Sequence, residues 1–254
     1  MADSTLYTNA VAIYDFENNL NDTKGSYNLS GTGATYSTTG EAQGTYWLGE
    51  QVGSGVFVCN NDAFLIDEDY AISFWTQCQY MTAGVGPYIR VLNGGFGIGG
   101  FGIYIENTLR VQNYNVDTPV QSNFTGYTFA DNVRYHIVVS FDASANTITA
   151  WVSTTTFGDR IDGTQLTNTQ DADIAADGEI RVNHLENYGY YDEVVFWKNT
   201  LSSSDAQAIF NARDGGTSWR ETGGASSTPT LKRRLNILLR LCLSTFNLIW
   251  RCFK

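Results

Sequence analysis

The segment AISFWTQCQY alternates apolar and polar side chains along most of its length. Because successive side chains of a strand point to opposite faces, this pattern predicts a half-buried β-strand, with Trp75 as the one apolar residue on the polar face. The apolar face holds Ile72, Phe74, Cys78 and Tyr80, and the polar face holds Ser73, Gln77 and Gln79.

Comparable runs recur between turn residues along the chain, among them AVAIYDFE, GVFVC, YIRVLN, RYHIVVSF, NTITAWVS and YYDEVVFW. The composition agrees with many short strands, since the chain has 25 Gly, 15 Tyr and 14 Phe but three Pro. We therefore predict an all-β protein in which two antiparallel sheets stack as a sandwich.

One helix is predicted after the last strand, in LSSSDAQAIFNARDGG. Ser202 is a suitable N-cap, and Asp205 stands at the third helical position, where its carboxylate can complete a capping box. Ala206, Ile209 and Phe210 give the helix one apolar face, and a glycine pair ends it. The pattern predicts a short helix that packs on the sandwich.

The composition changes abruptly near the end of the chain. ETGGASSTP, residues 221–229, has the make-up of a flexible linker that ends in a proline. We expect a sandwich domain over residues 1–220, the linker, and a separate tail over residues 230–254. The tail contains six basic residues and no acidic one.

Placed on a helix, the tail confines its polar groups to one stripe opposite a wide apolar face. Three interpretations stay open: a helix that lies on an anionic membrane surface, a helix that docks into a partner protein, and an appended or read-through segment. A helix that lies on the membrane surface is favoured over one that crosses the membrane, because Arg240 interrupts the apolar run. The residues predicted to anchor the tail are Arg233, Arg240, Trp250 and Arg251.

The charge is distributed unevenly. Residues 1–231 hold nine basic and 26 acidic residues, which gives −17, while the whole chain is −11. An acidic body repels phosphate, so we do not expect the main domain to bind nucleic acid. The N-terminal sequence has neither the basic nor the apolar region of a secretion signal, and we expect synthesis in a cytoplasm.

Three segments together resemble the laminin-G-like, concanavalin A-like jelly-roll family of lectin-like and glucanase-like proteins. AIYDFENNLNDTKGSYNLSGTGATY is similar to the family's opening strand and loop, RYHIVVSFDASANTITAWVS to its paired strands, and YGYYDEVVFWKNTLSSSDAQAIFN to its closing strand and helix. The resemblance covers most of residues 10–215. It implies a two-sheet antiparallel jelly roll whose functions are mostly binding, with enzymes as a minority.

The hydrolases of this superfamily carry catalytic acids in an E-x-D-x-E strand, which is absent here. The nearest substitutes are Asp171 with Asp173, and Glu186 near Asp192, and neither spacing matches a catalytic pair. His136, one of two histidines, is predicted to be packed. We therefore expect a protein without enzymatic activity, and keep a glycan hydrolase or lyase as the alternative.

The resemblance also implies a calcium ion between the first and last strands, where many members of the superfamily hold one with carboxylates and carbonyls. Glu17 and Asp192 occupy the matching positions. The alternative is that both are exposed or hydrogen-bonded carboxylates at the edge of the sheet.

NHLENYGYY combines aromatic rings, which stack on sugar faces, with an amide that can bind hydroxyl groups. Asn187, Tyr188 and Tyr190 are the predicted ligand-binding residues. The alternative is that these tyrosines only pack in the sandwich. Trp75 and Trp151 lie in strand patterns and are predicted to belong to the core.

These patterns lead to one functional hypothesis and two alternatives. The hypothesis is a lectin-like head that binds a glycan or host surface and is held on a virus or phage particle by its tail, which contacts another virion protein or a membrane. An enzyme that acts on glycans is the first alternative. The second is a structural capsid or tail protein that does not bind sugar.

Overall fold

The structure is a computed structural model. It describes residues 4–37, 47–50, 57–60, 69–78, 88–93, 100–114, 119–124, 127–145, 147–158, 160–162, 178–182 and 189–212. Two short helices, α1 (Ser4–Asn9) and α2 (Ser203–Asn211), flank the strands in the sequence.

The strands of the described part follow in chain order. They are β1 (Ala10–Tyr14), β2 (Ala34–Ser37), β3 (Trp47–Glu50), β4 (Phe57–Asn60), β5 (Tyr70–Cys78), β6 (Tyr88–Asn93), β7 (Gly100–Glu106), β8 (Thr108–Tyr114), β9 (Pro119–Phe124), β10 (Arg134–Asp142), β11 (Thr147–Ser153), β12 (Arg160–Asp162), β13 (Gly178–Val182) and β14 (Gly189–Trp197).

The strands form two antiparallel sheets. Sheet A has the order β12-β11-β10-β5-β14-β3-β2, and β1 also pairs with β14. Strand β5 pairs with one edge of β14. Along the other edge, β3 pairs with the start of β14 and β1 pairs with the end of β14. Sheet B has the order β4-β13-β6-β7-β8-β9.

The inner faces of the two sheets form one continuous hydrophobic core. Ile72 and Phe74 of sheet A are fully buried in the same cluster as Ile103 and Val111 of sheet B. The ring of Tyr70 stacks on that of Phe101 across the two sheets, with 3.9 Å between centroids. Burial raises the pKa of Tyr70, so its hydroxyl stays protonated.

A second hydrophobic cluster covers part of the outer face of sheet A. Val195 and Trp197 of β14 pack there with Leu6 of α1 and with Ile209 of α2. The Trp197 indole Nε1 donates a hydrogen bond of 2.9 Å to the carbonyl of Leu6. Because sheet A packs on sheet B on one side and against the helices on the other, its central strands are buried on both faces.

Helix α1 has no strong sequence signature, and it is held by contacts with distant side chains. Lys24 Nζ donates to the carbonyl oxygens of Tyr7 and Thr8, at 2.7 Å for the second. The Trp197 indole satisfies a third carbonyl of the same short helix. These bonds replace the intrahelical partners that the last carbonyls of a helix lack.

A β-bulge interrupts β14. The pairing with β5 shifts between Asp192 and Val195, and Glu193 adopts a left-handed conformation with φ of 52°. The extra residue resets the alternation of the strand. Tyr191 and Val194 therefore both belong to the inner core.

The loop after β1 is organised around one buried carboxylate. Asp22 is 6 % exposed, and it accepts hydrogen bonds from three backbone amides. The donors are Ile13 at 2.9 Å, Lys24 at 3.0 Å and Tyr27 at 3.3 Å. This carboxylate ties the loop to β1, in the first segment on which the family resemblance rests.

The predicted architecture is confirmed as a two-sheet antiparallel sandwich with a short helix after the last strand. Ser202 caps α2 and forms the predicted capping box with Asp205, and Ala206, Ile209 and Phe210 are buried. Helix α1 is an additional element, absent from the sequence-based prediction. The assignment to the concanavalin A-like and laminin-G-like group stays a prediction.

The predicted domain boundary near residue 220, the linker over 221–229 and the tail over 230–254 lie outside the described residues. Within the described ranges, neither helix has the length and apolar character to cross a membrane.

Replacing Asp22 by alanine is expected to lower the free energy of unfolding by about 3 kcal/mol, because the change leaves buried amides without their acceptor. Urea denaturation of the full chain measures the change. Asp142→Ala is the control, since Asp142 also accepts from a backbone amide, that of Ala145, but in an exposed turn. Its expected cost is below about 1 kcal/mol, and equal costs for the two variants would contradict the structural role of Asp22.

Candidate functional site

The predicted sugar-binding residue Tyr190 is partly exposed at the start of β14. It lies directly opposite Gln77 of β5, which in turn lies opposite Arg134 of β10. Residues opposite one another in adjacent strands share a face of the sheet. We call Arg134, Gln77 and Tyr190 the polar row; all three are partly exposed.

The next row inward on the same face is buried. It runs from Ser153 of β11 through His136 and Trp75 to Asp192 of β14, each opposite the next. These four residues are at most 2 % exposed. The prediction that His136 is packed is confirmed, as is the prediction that Trp75 belongs to the core.

Helix α2 covers this buried row through Phe210. Its ring lies 5.7 Å from that of Trp75, 5.8 Å from that of His136 and 5.8 Å from that of Phe157. Phe210 is 3 % exposed. The helix thereby covers Trp75 and His136 in the middle of the inner row, while the polar row stays partly exposed.

One contact restrains the arginine end of the polar row. The Arg134 guanidinium lies over the Trp75 indole at 5.6 Å from the ring centroid, a cation–π contact that restrains the long side chain. Beyond Tyr190, the opposite residue in β3 is Gly49, which has no side chain to stand beside the tyrosine ring. The row is thus anchored at its arginine end.

The polar row can bind a ligand rich in hydroxyl groups. A tyrosine offers a ring face and a phenolic hydroxyl, a glutamine both donates and accepts, and an arginine presents a fork of donors. Directly opposed residues hold these three groups at strand spacing, about 5 Å from one to the next, which is comparable to the width of a sugar ring.

The two other predicted sugar-binding residues, Asn187 and Tyr188, lie outside the described residues, immediately before β14. Gln77 and Arg134 were not singled out from the sequence as ligand-binding residues. Gln77 was placed on the polar face of its strand, and that polar position is the signal that could have identified it. No local sequence pattern identifies Arg134, because its position beside Gln77 depends on the pairing of β10 with β5.

The two predicted calcium ligands differ in burial. Glu17 is partly exposed, three residues after β1. Asp192 itself is fully buried next to Trp75. Among the described residues, no group of three or more His, Cys, Asp or Glu is placed to hold a metal ion. Calcium binding stays a prediction.

The remaining candidate residues fall outside the described part of the chain. These are the tail residues Arg233, Arg240, Trp250 and Arg251, and the acids Asp171, Asp173 and Glu186 that were considered as catalytic substitutes.

No family model matches the sequence, and a sequence search of curated proteins finds no match. The fold, in contrast, is similar to solved binding domains of botulinum neurotoxins. The serotype C1 binding domain is 15% identical with a TM-score of 0.58, and the match covers 81% of this chain and 52% of that one. A serotype DC binding domain in complex with SialylT is 15% identical with a TM-score of 0.60, covering 81% and 52%.

The same DC domain in complex with rat synaptotagmin II gives a TM-score of 0.56 at 15% identity, again covering 81% of this chain and 52% of that one. At this identity the similarity establishes the fold alone, a β-sandwich. The chain spans about half the length of the domains it matches.

Phe210→Ala is expected to lower the free energy of unfolding by about 3 kcal/mol, because it leaves a cavity against three aromatic rings. Thermal and urea unfolding measure the effect. Gln207→Ala, on the exposed side of the same helix, should change stability by less than about 0.5 kcal/mol. Similar small effects for both variants would show that α2 does not cover the buried row.

Proposed function

We propose that this protein is a non-catalytic carbohydrate-binding domain, and that the polar row on the outer face of sheet A is its sugar-binding site. The observation that carries the proposal is the alignment of Arg134, Gln77 and Tyr190 in one cross-strand row at the border of the helix-covered face. The sugar ring lies against Tyr190, and its hydroxyl groups bond to Gln77 and Arg134.

The row is partly preorganised for this role. Arg134 is restrained over the indole of Trp75, and Trp75 itself packs against His136 and Phe210. Restraining a long side chain before binding reduces the conformational entropy lost when the ligand arrives. The guanidinium also favours sugars that carry a carboxylate, since its paired donors match the two oxygens of that group.

The structural neighbours support a binding role. Their matched domains are described as binding domains, one of them in complex with SialylT and one with rat synaptotagmin II. Because the match covers about half of each, those ligands are properties of the neighbours alone. The proposal for this chain rests on its own polar row.

The chemistry of the site favours binding over catalysis. In the described part of the chain, Asp192 and His136, each two residues from the polar row along its strand, are buried. Neither is placed to exchange protons with a ligand on the row, as general acid–base catalysis requires. The proposed setting is the surface of a virus or phage particle held by the basic tail, and its support is the sequence pattern of residues 230–254.

A glycan array followed by calorimetry on the best-binding oligosaccharide tests the proposal with the full chain. Tyr190→Ala is expected to weaken binding by about tenfold or more, because it removes the stacking ring. Gln77→Ala and Arg134→Gln are expected to weaken binding by about threefold to tenfold each.

Two variants at exposed positions outside the polar row serve as controls. Lys198→Gln removes a positive charge from an exposed position just after β14, and Gln207→Ala removes an amide from exposed α2. Both should bind like the unchanged protein. Glycan binding that survives Tyr190→Ala and Arg134→Gln would refute the assignment of the site, and a protein that binds no glycan on the array would refute the function.

A further inference from the structure

The loop that leads into β10 lies at the same end of the sandwich as the polar row. Arg134, one end of that row, is the first residue of β10, and residues 127–133 come immediately before it. The chain reaches this loop from β9, an edge strand of sheet B, and then enters sheet A. The loop therefore passes over the rim between the two sheets. We call residues 127–133 the rim loop.

Two hydrogen bonds and a ring contact hold the rim loop to both sheets. The amide of Phe129 donates to the carbonyl of Asn107, at 3.0 Å, in the turn between β7 and β8 of sheet B. The amide of Ala130 donates to the hydroxyl of Tyr135 in β10, at 2.8 Å. The rings of Phe129 and Tyr135 meet edge to face at 4.8 Å, and both are buried. A loop fixed in this way loses little conformational freedom when a ligand binds to it.

Tyr127 presents an aromatic ring on the rim loop. Its centroid lies 5.2 Å from that of Phe129 and 6.0 Å from that of Tyr135, whose ring is nearly perpendicular to it. The side chain of Tyr127 nevertheless stays partly exposed. Partial burial raises the pKa of Tyr127, so its hydroxyl stays protonated and can both donate and accept a hydrogen bond. Two buried rings thus fix the orientation of an accessible third ring, which suits stacking on a sugar face.

Asn132 lies on the same loop, between Tyr127 and the polar row along the chain. Its backbone is left-handed, with φ of 60°, a conformation that asparagine tolerates better than most residues. Its side chain is exposed. Asn132 and Arg134 are two residues apart in the sequence, so their Cα atoms are separated by at most about 7 Å. The amide of Asn132, which can donate and accept, is therefore within reach of a sugar unit that follows one bound on the row.

We propose that Tyr127 and Asn132 form a second sugar subsite, which continues the polar row over the rim of the sandwich. The inference rests on the proposed function, and it specifies the ligand as an oligosaccharide that ends in an acidic sugar. The acidic end unit lies on the polar row, as in the proposed function. The amide of Asn132 bonds to a hydroxyl group of the next unit, and the ring of Tyr127 stacks on a unit further along the chain.

Calorimetry on the full chain with N-acetylneuraminic acid and with sialyllactose tests the second subsite. The two probes carry the same single carboxylate, the first on a monosaccharide and the second on a trisaccharide, so their difference reports chain length and not charge. The trisaccharide is expected to bind about tenfold or more tightly than the monosaccharide. Equal binding of the two probes, or no binding of either, would overturn the proposal.

Tyr127→Ala removes the ring and is expected to remove most of this difference, so that the trisaccharide binds within about twofold of the monosaccharide. Binding of the monosaccharide should be unchanged, which shows that the variant folds and that its polar row is intact. Tyr127→Phe keeps the ring and should retain most of the difference. A Tyr127→Ala variant that keeps the full advantage of the trisaccharide would contradict the subsite.

Asn132→Gly removes the amide while it allows the same left-handed backbone. It should weaken binding of the trisaccharide by about threefold to tenfold and leave binding of the monosaccharide unchanged. Gln207→Ala, at an exposed position of α2, is the control and should bind both probes like the unchanged chain. Unchanged binding of the trisaccharide by Asn132→Gly would show that the subsite is not formed as stated.

Tyr190→Ala distinguishes failure of the subsite from failure of the proposed function. It should weaken binding of both probes, because both place their acidic unit on the polar row. If both probes depend on Tyr190 and neither depends on Tyr127, the second subsite fails while the proposed function stands. If neither probe depends on Tyr190, the polar row fails as the binding site, and the subsite fails with it. If neither probe binds, the subsite fails, and the glycan array decides the proposed function by itself.

Discussion

The extra residue in β14 is the constraint on which the arrangement of sheet A depends. A regular strand would turn Glu193 into the inner core and Val194 out of it. With Glu193 in the left-handed conformation, Tyr191 and Val194 both face sheet B, while Val195 and Trp197 face the helices. Strand β14 thus contributes side chains to two hydrophobic clusters, and at its start it places Tyr190 opposite Gln77. Most residues with a side chain disfavour the left-handed conformation of Glu193. The packing on both faces of β14 maintains it.

The two outer faces of the sandwich differ in what covers them. On sheet A, α1 and α2 bury the central strands and leave the polar row at the border of the covered region. On sheet B, Arg90 and Arg110 lie on a face that neither described helix covers, and both contact the ring of Tyr104. In both cases an aromatic ring restrains an arginine, Trp75 for Arg134 and Tyr104 for Arg90 and Arg110. In the proposed sugar-binding site, Arg134 can therefore present its charge with little loss of side-chain entropy on binding.

The sequence predicted the elements better than it predicted the site. Period-two alternation identified β5, and the Ser202–Asp205 spacing identified the cap of α2, because both signals are local. Helix α1 was missed since its carbonyls are satisfied by Trp197 and Lys24, which are distant in sequence. Tyr190 was predicted as a ligand-binding residue from its aromatic, polar surroundings. Arg134 and Gln77 could not be joined to it without the register of three strands, and the burial of Asp192 could not be foreseen without its pairing opposite the buried Trp75.

The central claim is that a sugar binds on the polar row, and mapping backbone amides by NMR during a titration tests it most directly. The full chain would be labelled with ¹⁵N and titrated with the oligosaccharide that it binds best. We predict that the largest shifts occur at the amides around Gln77, Arg134 and Tyr190, which lie far apart in sequence and adjacent in sheet A. Largest shifts on the outer strands of sheet B, in the loop around Asp22 or in residues 230–254 would contradict the claim.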